Sequence, residues 1–334
     1  MPFLHVDPDD AVRVTQAVDL LNAAHAQDDP DAIELLPELA AKELRYGWDL
    51  EPDEWYLYAP DSSSDPVGVL ELDFPARDNV HLAWAAIHVH PAHRRRGHGS
   101  AMLQEVIRRT KNLGRTTVWV GAAEDDLGAK AFLKSFGFRY ASHDARRRQV
   151  LADVDQARLD ELYAEAQAAA GDYVLERAIL PTPDDVLEEL VEVTAAINDA
   201  PMGELTFEDE VFDLKRLRAI EEASAGRQDT IYRVWARHRT TGVIGGHTVV
   251  GVNPLQPRFG GQGDTAVRRD HRGHRLGLLL KIEMMRWLAD REPQLEWIET
   301  WNQADNTYMV SVNEALGYRL SRVFAMYELT LPVE

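Results

Sequence analysis

The chain has 334 residues, enough for two domains of ordinary size, each with its own hydrophobic core. Its formal net charge is −20, which excludes nucleic acid and anionic membrane as principal partners, and its lack of cysteine removes disulfides, thiolate metal sites and a cysteine nucleophile. The opening Met1-Pro-Phe-Leu-His-Val6 runs at once into Asp7, Asp9 and Asp10, unlike a signal peptide, and no apolar run approaches the roughly 20 residues of a membrane span. These features predict a soluble cytoplasmic protein; the excess of arginine over lysine, with abundant Ala and Asp, fits a GC-rich bacterial source.

In chain order, Phe3–Val6 is a short apolar segment, and Ala11–Ala26 has helical periodicity behind an Asp-rich cap. Glu54–Ala59 and Val67–Phe74 read as strands around the turn-forming Pro60–Pro66, and Val80–Val89 is a third. Ser100–Leu113 is an amphipathic helix stopped by Gly114, Thr116–Ala122 a strand, and Leu127–Phe136 a helix stopped by Gly137. Val150–Ala170 is helical but polar and ends in Ala-Ala-Ala-Gly171, the best linker candidate. Asp172–Leu180 then starts a second round: a capped helix at Val186–Ile197, strands at Ile231–Arg237 and Val243–Val252, a loop at 254–261, and a strand at Asp264–Val267. Helix Leu278–Asp290, strand Trp297–Trp301, helix Thr307–Leu316 and strand Ser321–Leu331 complete it. Both halves read β-α-(α)-β-β-β-α-β-α-β, with the glycine-bearing turn in the middle, which disfavours a dinucleotide-binding Rossmann order.

Two strand-to-helix turns carry the chemistry. The first is His88-Val89 followed, after His90–His93, by Arg94-Arg95-Arg96-Gly97-His98-Gly99-Ser100; the second is Ala266-Val267 followed, after Arg268–His271, by Arg272-Gly273-His274-Arg275-Leu276-Gly277. Arg94 and Arg272 are 178 residues apart, and the later Gly137-Phe138 and Gly317-Tyr318 are offset by 180, so the chain is a tandem repeat. Glycine lets backbone approach a pyrophosphate, whose charge then faces the free N–H groups of the following helix.

These residues resemble the GNAT superfamily of acyl-CoA-dependent N-acetyltransferases, whose hallmark is [Arg/Gln]-x-x-Gly-x-[Gly/Ala] after the fourth strand. Residues 94–99 match it in full; residues 272–277 match at Arg272 and Gly277, with Arg275 at the first hallmark glycine. The resemblance implies an α/β (α+β) fold of two tandem GNAT-like domains. Each would have a mixed, mostly antiparallel central sheet flanked by helices, with a splayed fourth strand. Expected boundaries are 1–150, a helical linker at 151–171, and 172–334. Acetyl-CoA is the implied co-substrate, held by both turns and, in the second half, by Asn302 and Asn306. The family's acid tyrosine position holds Asn313 in the second half and Leu133 in the first, where Asp126 also replaces the coenzyme asparagine. The second half is therefore expected to catalyse, and the first to be a degenerate copy.

An attacking amine must be neutral, which calls for a base. Glu204 lies in the loop that shapes acceptor sites in this family. Asp264 lies on the strand before the second turn, on the face opposite Thr265 and Val267 unless a bulge intervenes, and His247 ranks third. Each has a bland alternative as a solvated carboxylate or a hydrogen-bonded strand residue. Trp84, Trp119, Trp235 and Trp297 read as core or wall, Met284-Met285 as packing. His88, His90, His93 and His98 straddle strand, turn and helix without converging, so no metal is expected.

The activity expected is acetyl transfer from acetyl-CoA to a primary amine of a small molecule or peptide, by direct attack through a tetrahedral intermediate. A non-catalytic acyl-CoA sensor or scaffold, a different acyl group, and a hydroxyl acceptor are the alternatives. The protein is expected to be a monomer or homodimer with no nucleic-acid or membrane partner.

Overall fold

Asp and Asn at helix starts set the frame. In the computed structural model, which describes residues 2–61 and 65–332, the side chains of Asp10, Asp126, Asp155, Asp213 and Asn306 each cap a helix by accepting a backbone N–H three residues on. The first repeat runs β1 (Phe3–His5), α1 (Ala11–Asp28), α2 (Pro37–Tyr46), β2 (Glu54–Tyr58), β3 (Gly68–Asp73), β4 (Leu82–Val89), α3 (His98–Asn112), β5 (Thr117–Ala123), α4 (Leu127–Ser135) and β6 (Arg139–Val150). After α5 (Gln156–Ala169) come β7 (Tyr173–Ile179), α6 (Asp184–Ala195), α7 (Leu214–Gly226), β8 (Thr230–His238), β9 (Ile244–Val252), β10 (Phe259–Val267), α8 (Leu276–Arg291), β11 (Trp297–Gln303), α9 (Thr307–Ala315) and β12 (Arg319–Thr330). The expected order is present, and the fold is a mixed α/β one. Among the boundaries that differ, α5 starts at Gln156 because β6 runs to Val150, and β10 begins at Phe259, inside the stretch expected as loop, because Gly260 and Gly261 pair with both neighbouring strands. Of the expected turn at Pro60–Pro66, residues 62–64 lie outside the described residues.

The chain forms two compact units, and neither is contiguous. Unit 1 comprises Met1–Ser142, Glu204–Glu208 and Phe324–Glu334; unit 2 comprises His143–Gly203 and Asp209–Val323. The last strand of each repeat is exchanged. In unit 1, β1 to β4 form an antiparallel meander, β5 runs parallel to β4, and Phe324–Thr330 of β12 closes the sheet antiparallel to β5. In unit 2, β7 to β10 are antiparallel, β11 is parallel to β10, and Asp144–Val150 of β6 takes the place beside β11. The segment 151–171, expected as a linker, carries α5, whose Leu159, Leu162 and Ala166 are buried in the main core of unit 2 with α8.

Strand alternation sorts the unit 1 core into two layers. Leu70 and Leu72 of β3 join Ala85, Val118 and Val120 against Met102, Leu103 and Val106 of α3. Val69 faces the other way, with Trp55 and Leu57, onto Val14, Val18, Leu21 and Leu44 of α1 and α2. In unit 2 the smaller layer is Leu187, Leu190, Leu217, Trp235 and Ile244.

Within unit 1 the exchanged strand carries a buried carboxylate. Glu328 accepts from Trp119 Nε1–H at 2.9 Å, Thr206 N–H at 2.7 Å, Thr206 Oγ1–H at 2.9 Å and the Arg139 guanidinium at 2.6 Å. Burial works to raise its pKa, but the bonds from Thr206, Trp119 and Arg139 prevail and hold it below the usual range. This holds the Glu204–Glu208 segment in unit 1, aided by the Asn79 side chain on the backbone of Glu208. Removing the carboxylate strands four donors from three residues, so Glu328→Ala should lose about 3 kcal/mol of stability in urea denaturation. The wild-type contribution should be present above the unfolded carboxylate range and disappear as pH falls through the depressed folded value. A variant with an unchanged urea midpoint would contradict this.

Candidate active site

In unit 1, β4 and β5 pair only from Leu82–Thr117 to Ala85–Val120, although β4 runs on to Val89 and β5 to Ala123. Beyond that point the strands part. The His90 N–H bonds Val67 O, just before β3, so alternation turns the N–H groups of Ile87 and Val89 toward the opening. The Val89 carbonyl is taken by Arg94 Nε at 2.9 Å, and both Arg94 terminal nitrogens bind Asp28, at 2.7 and 2.6 Å. A cavity of about 560 Å³ occupies the gap. His88, Val89, Arg94, Arg95, Gly97, His98, Gly99 and Ser100 line it; of the first-half residues singled out from sequence, only Arg96 does not. Its far wall is Val120–Ala122 with Asp126, Phe132 and Leu133.

The turn itself is an anion seat. Gly97 caps α3 in the left-handed conformation with no side chain on the helix N–H groups, which stay available to a ligand. Arg95 and Arg96 are exposed and, among the described residues, make no ion pair.

The second turn has the same backbone with its glycine moved. Positive φ falls on Arg95 (61°) and Gly97 (87°) in unit 1, and on Gly273 (88°) and Arg275 (54°) in unit 2. Those positions correspond under the 178-residue offset. Arg275 therefore adopts the left-handed cap that the hallmark glycine would supply, and the turn closes as in unit 1.

The surroundings differ more. Asp199 binds Arg269 and Arg272, Glu192 binds Arg268, and Glu165 binds Arg275 at 2.6 Å. Leu276 and Gly277 are buried, with the Tyr308 hydroxyl and a Thr265 methyl close to Gly277. His274 packs on the Tyr173 ring, 5.6 Å between centroids. Asn306 caps α9 through Met309 N–H, and Asn302 donates to Gln303 O at 2.8 Å. By alternation from the Arg268 N–H···Gly245 O bond, the N–H of Val267 faces the β10/β11 gap while Ala266 is buried beside β9.

Asn313, the residue at the family's tyrosine position, is 1 % exposed, and its Oδ1 accepts from Lys281 Nζ at 2.8 Å. Its Nδ2 leans on Asn302 Oδ1 at 3.4 Å. Lys281 lies over the Tyr318 ring, and burial pushes its pKa down to about 7. The equivalent pair in unit 1 is Leu103 and Leu133, both buried and apolar. Sequence reading passed over Lys281; its one signal is a lysine inside the apolar stripe Leu278–Ile282.

The three sequence-nominated bases do not converge. Glu204 belongs to unit 1, where its side chain is 81 % exposed, 3.9 Å from Arg139, a solvated carboxylate. Asp264 belongs to unit 2 and sits where the β9/β10 register shifts between Gln262 and Thr265, the bulge that strict alternation had to lack. Its pKa is pushed up to about 6 by desolvation and by Glu210, against Arg233. His247 is 2 % exposed with neither ring nitrogen bonded, and burial drives it down to about 3, so it stays neutral. Among the described residues no group of three or more His, Cys, Asp or Glu is placed to hold a metal, and no helix is long and apolar enough to cross a membrane.

A central sheet opened between two parallel strands, with an uncapped glycine turn at the mouth, is the arrangement on which the comparisons bear. Residues 20–138 match the family model "Acetyltransferase (GNAT) family", and the protein carries a GNAT acetyltransferase domain in a tandem layout. It is 29 % identical over 272 residues, 80 % of each chain, to a mycothiol acetyltransferase of Saccharomonospora viridis. A tandem GNAT protein from the clavulanic acid biosynthesis pathway superposes with a TM-score of 0.80 at 26 % identity, covering 98 % of both chains. A GCN5-related N-acetyltransferase from Sphaerobacter thermophilus shares the fold, with a TM-score of 0.69 at 15 % identity over 100 % of this chain and 97 % of that one.

Lys281 yields a prediction independent of activity. The folded ammonium loses its proton near 7 and the unfolded one near 10.5, so the unfolded chain holds the extra proton between those values. Wild-type stability should therefore rise with pH across that window. Lys281→Met should add about 2 kcal/mol at pH 7 and abolish the rise; equal slopes for both proteins in urea denaturation would refute it.

Proposed function

We propose that the protein transfers an acetyl group from acetyl-CoA to a primary amine of a small molecule or peptide, and that unit 1 holds the coenzyme. The observation that carries this reading is the open cavity between β4 and β5, with an unpaired Arg95 on its lining and Arg96 beside it in the turn. The first turn of α3, from His98 to Ser100, and the nearby arginines fit the coenzyme's phosphates. The Ile87 and Val89 N–H groups fit the thioester oxygen as it gains charge during attack. The amine nitrogen bonds to the carbonyl carbon, the tetrahedral intermediate collapses, and the C–S bond breaks to release the thiol. The similar mycothiol acetyltransferase is named for acetyl transfer, which supports the reaction class. The net charge of −20 favours a cationic acceptor, since an alkyl amine of pKa about 10 arrives protonated.

A second reading keeps catalysis in unit 2, as the retained Asn302 and Asn306 suggest. One observation favours it: Asp264, at a bulge on the splayed strand, has a pKa near 6, suited to a general base. Against it stand the paired arginines of the second turn and the enclosed Asn313.

Thiol release from acetyl-CoA over a panel of amino sugars, diamines and amino-acid amides tests both. A Cβ on Gly99 would stand 3.7 Å from Phe132, ordinary contact, so Gly99→Glu puts a carboxylate at the phosphate seat without crowding the core. It should cut turnover at least 100-fold, while Asp264→Asn should leave it within about threefold. The opposite pattern would establish the second reading. Coenzyme binding with no release for any amine would overturn transfer in favour of a sensor.

A further inference from the structure

Three polar side chains meet on the α1 side of the unit 1 sheet. Glu71 stands on β3, His88 on β4 and His25 on α1. His88 Nε2 lies 3.0 Å from Glu71 Oε1, and the His25 ring meets the His88 ring edge-on with centroids 5.4 Å apart. His88 also lines the cavity, beside Val89. It is thus an imidazole with a carboxylate behind one nitrogen and the cleft beside it, at the point where β4 leaves β5.

We propose that His88, oriented by Glu71, is the group that takes the proton from the acceptor amine. This rests on unit 1 being the coenzyme site. With the Glu71 carboxylate facing Nε2, that nitrogen carries the hydrogen and Nδ1 keeps the lone pair. An ammonium substrate has three protons: one passes to His88 Nδ1 and then to water, and the neutral amine attacks the thioester. A second leaves nitrogen for the departing sulfur as the C–S bond breaks, and the third remains on the amide. Glu71 stabilises the imidazolium formed midway, which a carboxylate can do without being protonated itself.

The rest of the pocket is consistent with one working base. His88 meets Glu71 and His25; His25 in turn feels His88, Glu71, and Asp28 and Asp29 at the end of α1, with Asp28 bound to Arg94. His25 is held low, first by burial and then by His88, and its Nδ1 is buried without a partner. That direction disfavours a second positive charge beside His88.

Unit 2 lacks the pair. The register pair Val69–His88 corresponds to His247–Ala266 there, and Glu71 corresponds to Val249. Its imidazole has moved to the adjacent strand, where it is sealed and has neither hydrogen-bond partner nor solvent. The dyad is therefore a property of one copy and not of the scaffold.

The test combines coenzyme A titration by calorimetry, the pH dependence of kcat with the fastest amine of the panel above, and the imidazole 15N spectrum. His88→Gln should bind coenzyme A within twofold of wild type yet lose 100-fold or more in kcat at pH 7. That deficit should shrink about tenfold per pH unit toward the amine's own pKa, as free amine replaces the base. Glu71→Gln should also lower kcat at pH 7, and should cost nothing further in the His88→Gln background. In the spectrum, His88 should be the Nε2–H tautomer in wild type and lose that preference in Glu71→Gln. Coenzyme binding that is normal, with a His88→Gln pH profile superimposable on wild type, would overturn His88 alone. A wild-type cleft that takes up no coenzyme, or release with no amine, would overturn the unit 1 reading and His88 with it.

Discussion

The parallel pairing of β4 with β5 lasts four residues and then fails, and the functional architecture follows from that failure. A continuous ladder would use the Ile87 and Val89 N–H groups and leave no space. Because the strands diverge, those donors face a cavity, the Arg/Gly turn sits at its mouth, and the uncapped start of α3 looks onto it. The β5 edge cannot close the gap, since its other side is occupied by Phe324–Thr330 of the exchanged β12. The strand that completes the unit 1 sheet is thus the last in the chain, and Glu328 on it ties down the Glu204–Glu208 segment.

The two copies show how one backbone device can be kept while its chemistry drifts. Both turns use two left-handed residues at matching positions, and each places glycine at one and arginine at the other. The backbone is conserved between the copies; the electrostatics are not. In unit 1 Arg95 and Arg96 remain free for an anion, whereas the matching positions in unit 2 are Gly273 and His274, and the arginines of that turn are bound by Asp199, Glu165 and Glu192. Deeper in, Leu103 and Leu133 of unit 1 become Lys281 and Asn313, a buried ammonium solvated by an amide. The sequence alone places an asparagine at the family's tyrosine position, and the structure ties it to a buried lysine.

Much of the fold was legible because hydrophobic periodicity and Asp or Asn caps are local signals. The element order, the tandem repeat and the cavity-lining turn all come from such signals. The strand exchange was not legible: β6 and β12 have similar apolar alternation, and nothing local says which of β5 and β11 each will join antiparallel. For the same reason 151–171 looked like a linker, since its polar face dominates the composition while Leu159, Leu162 and Ala166 are spaced to reach the core. The site was half legible. Residues 94–99 announced the anion seat by type and spacing, whereas the Glu71–His88 contact joins two strands and has no signature along the chain. The β10 bulge that reorients Asp264 was foreseen only as a condition, because bulges depend on partner register.

The central claim is that the coenzyme's place is the β4/β5 cleft of unit 1. A crystal grown with coenzyme A tests it most directly. The account predicts ordered density for the diphosphate against His98–Ser100, with the thiol end running beside Val89 toward His88. Density confined to the β10/β11 gap, with the unit 1 cleft empty, would contradict it.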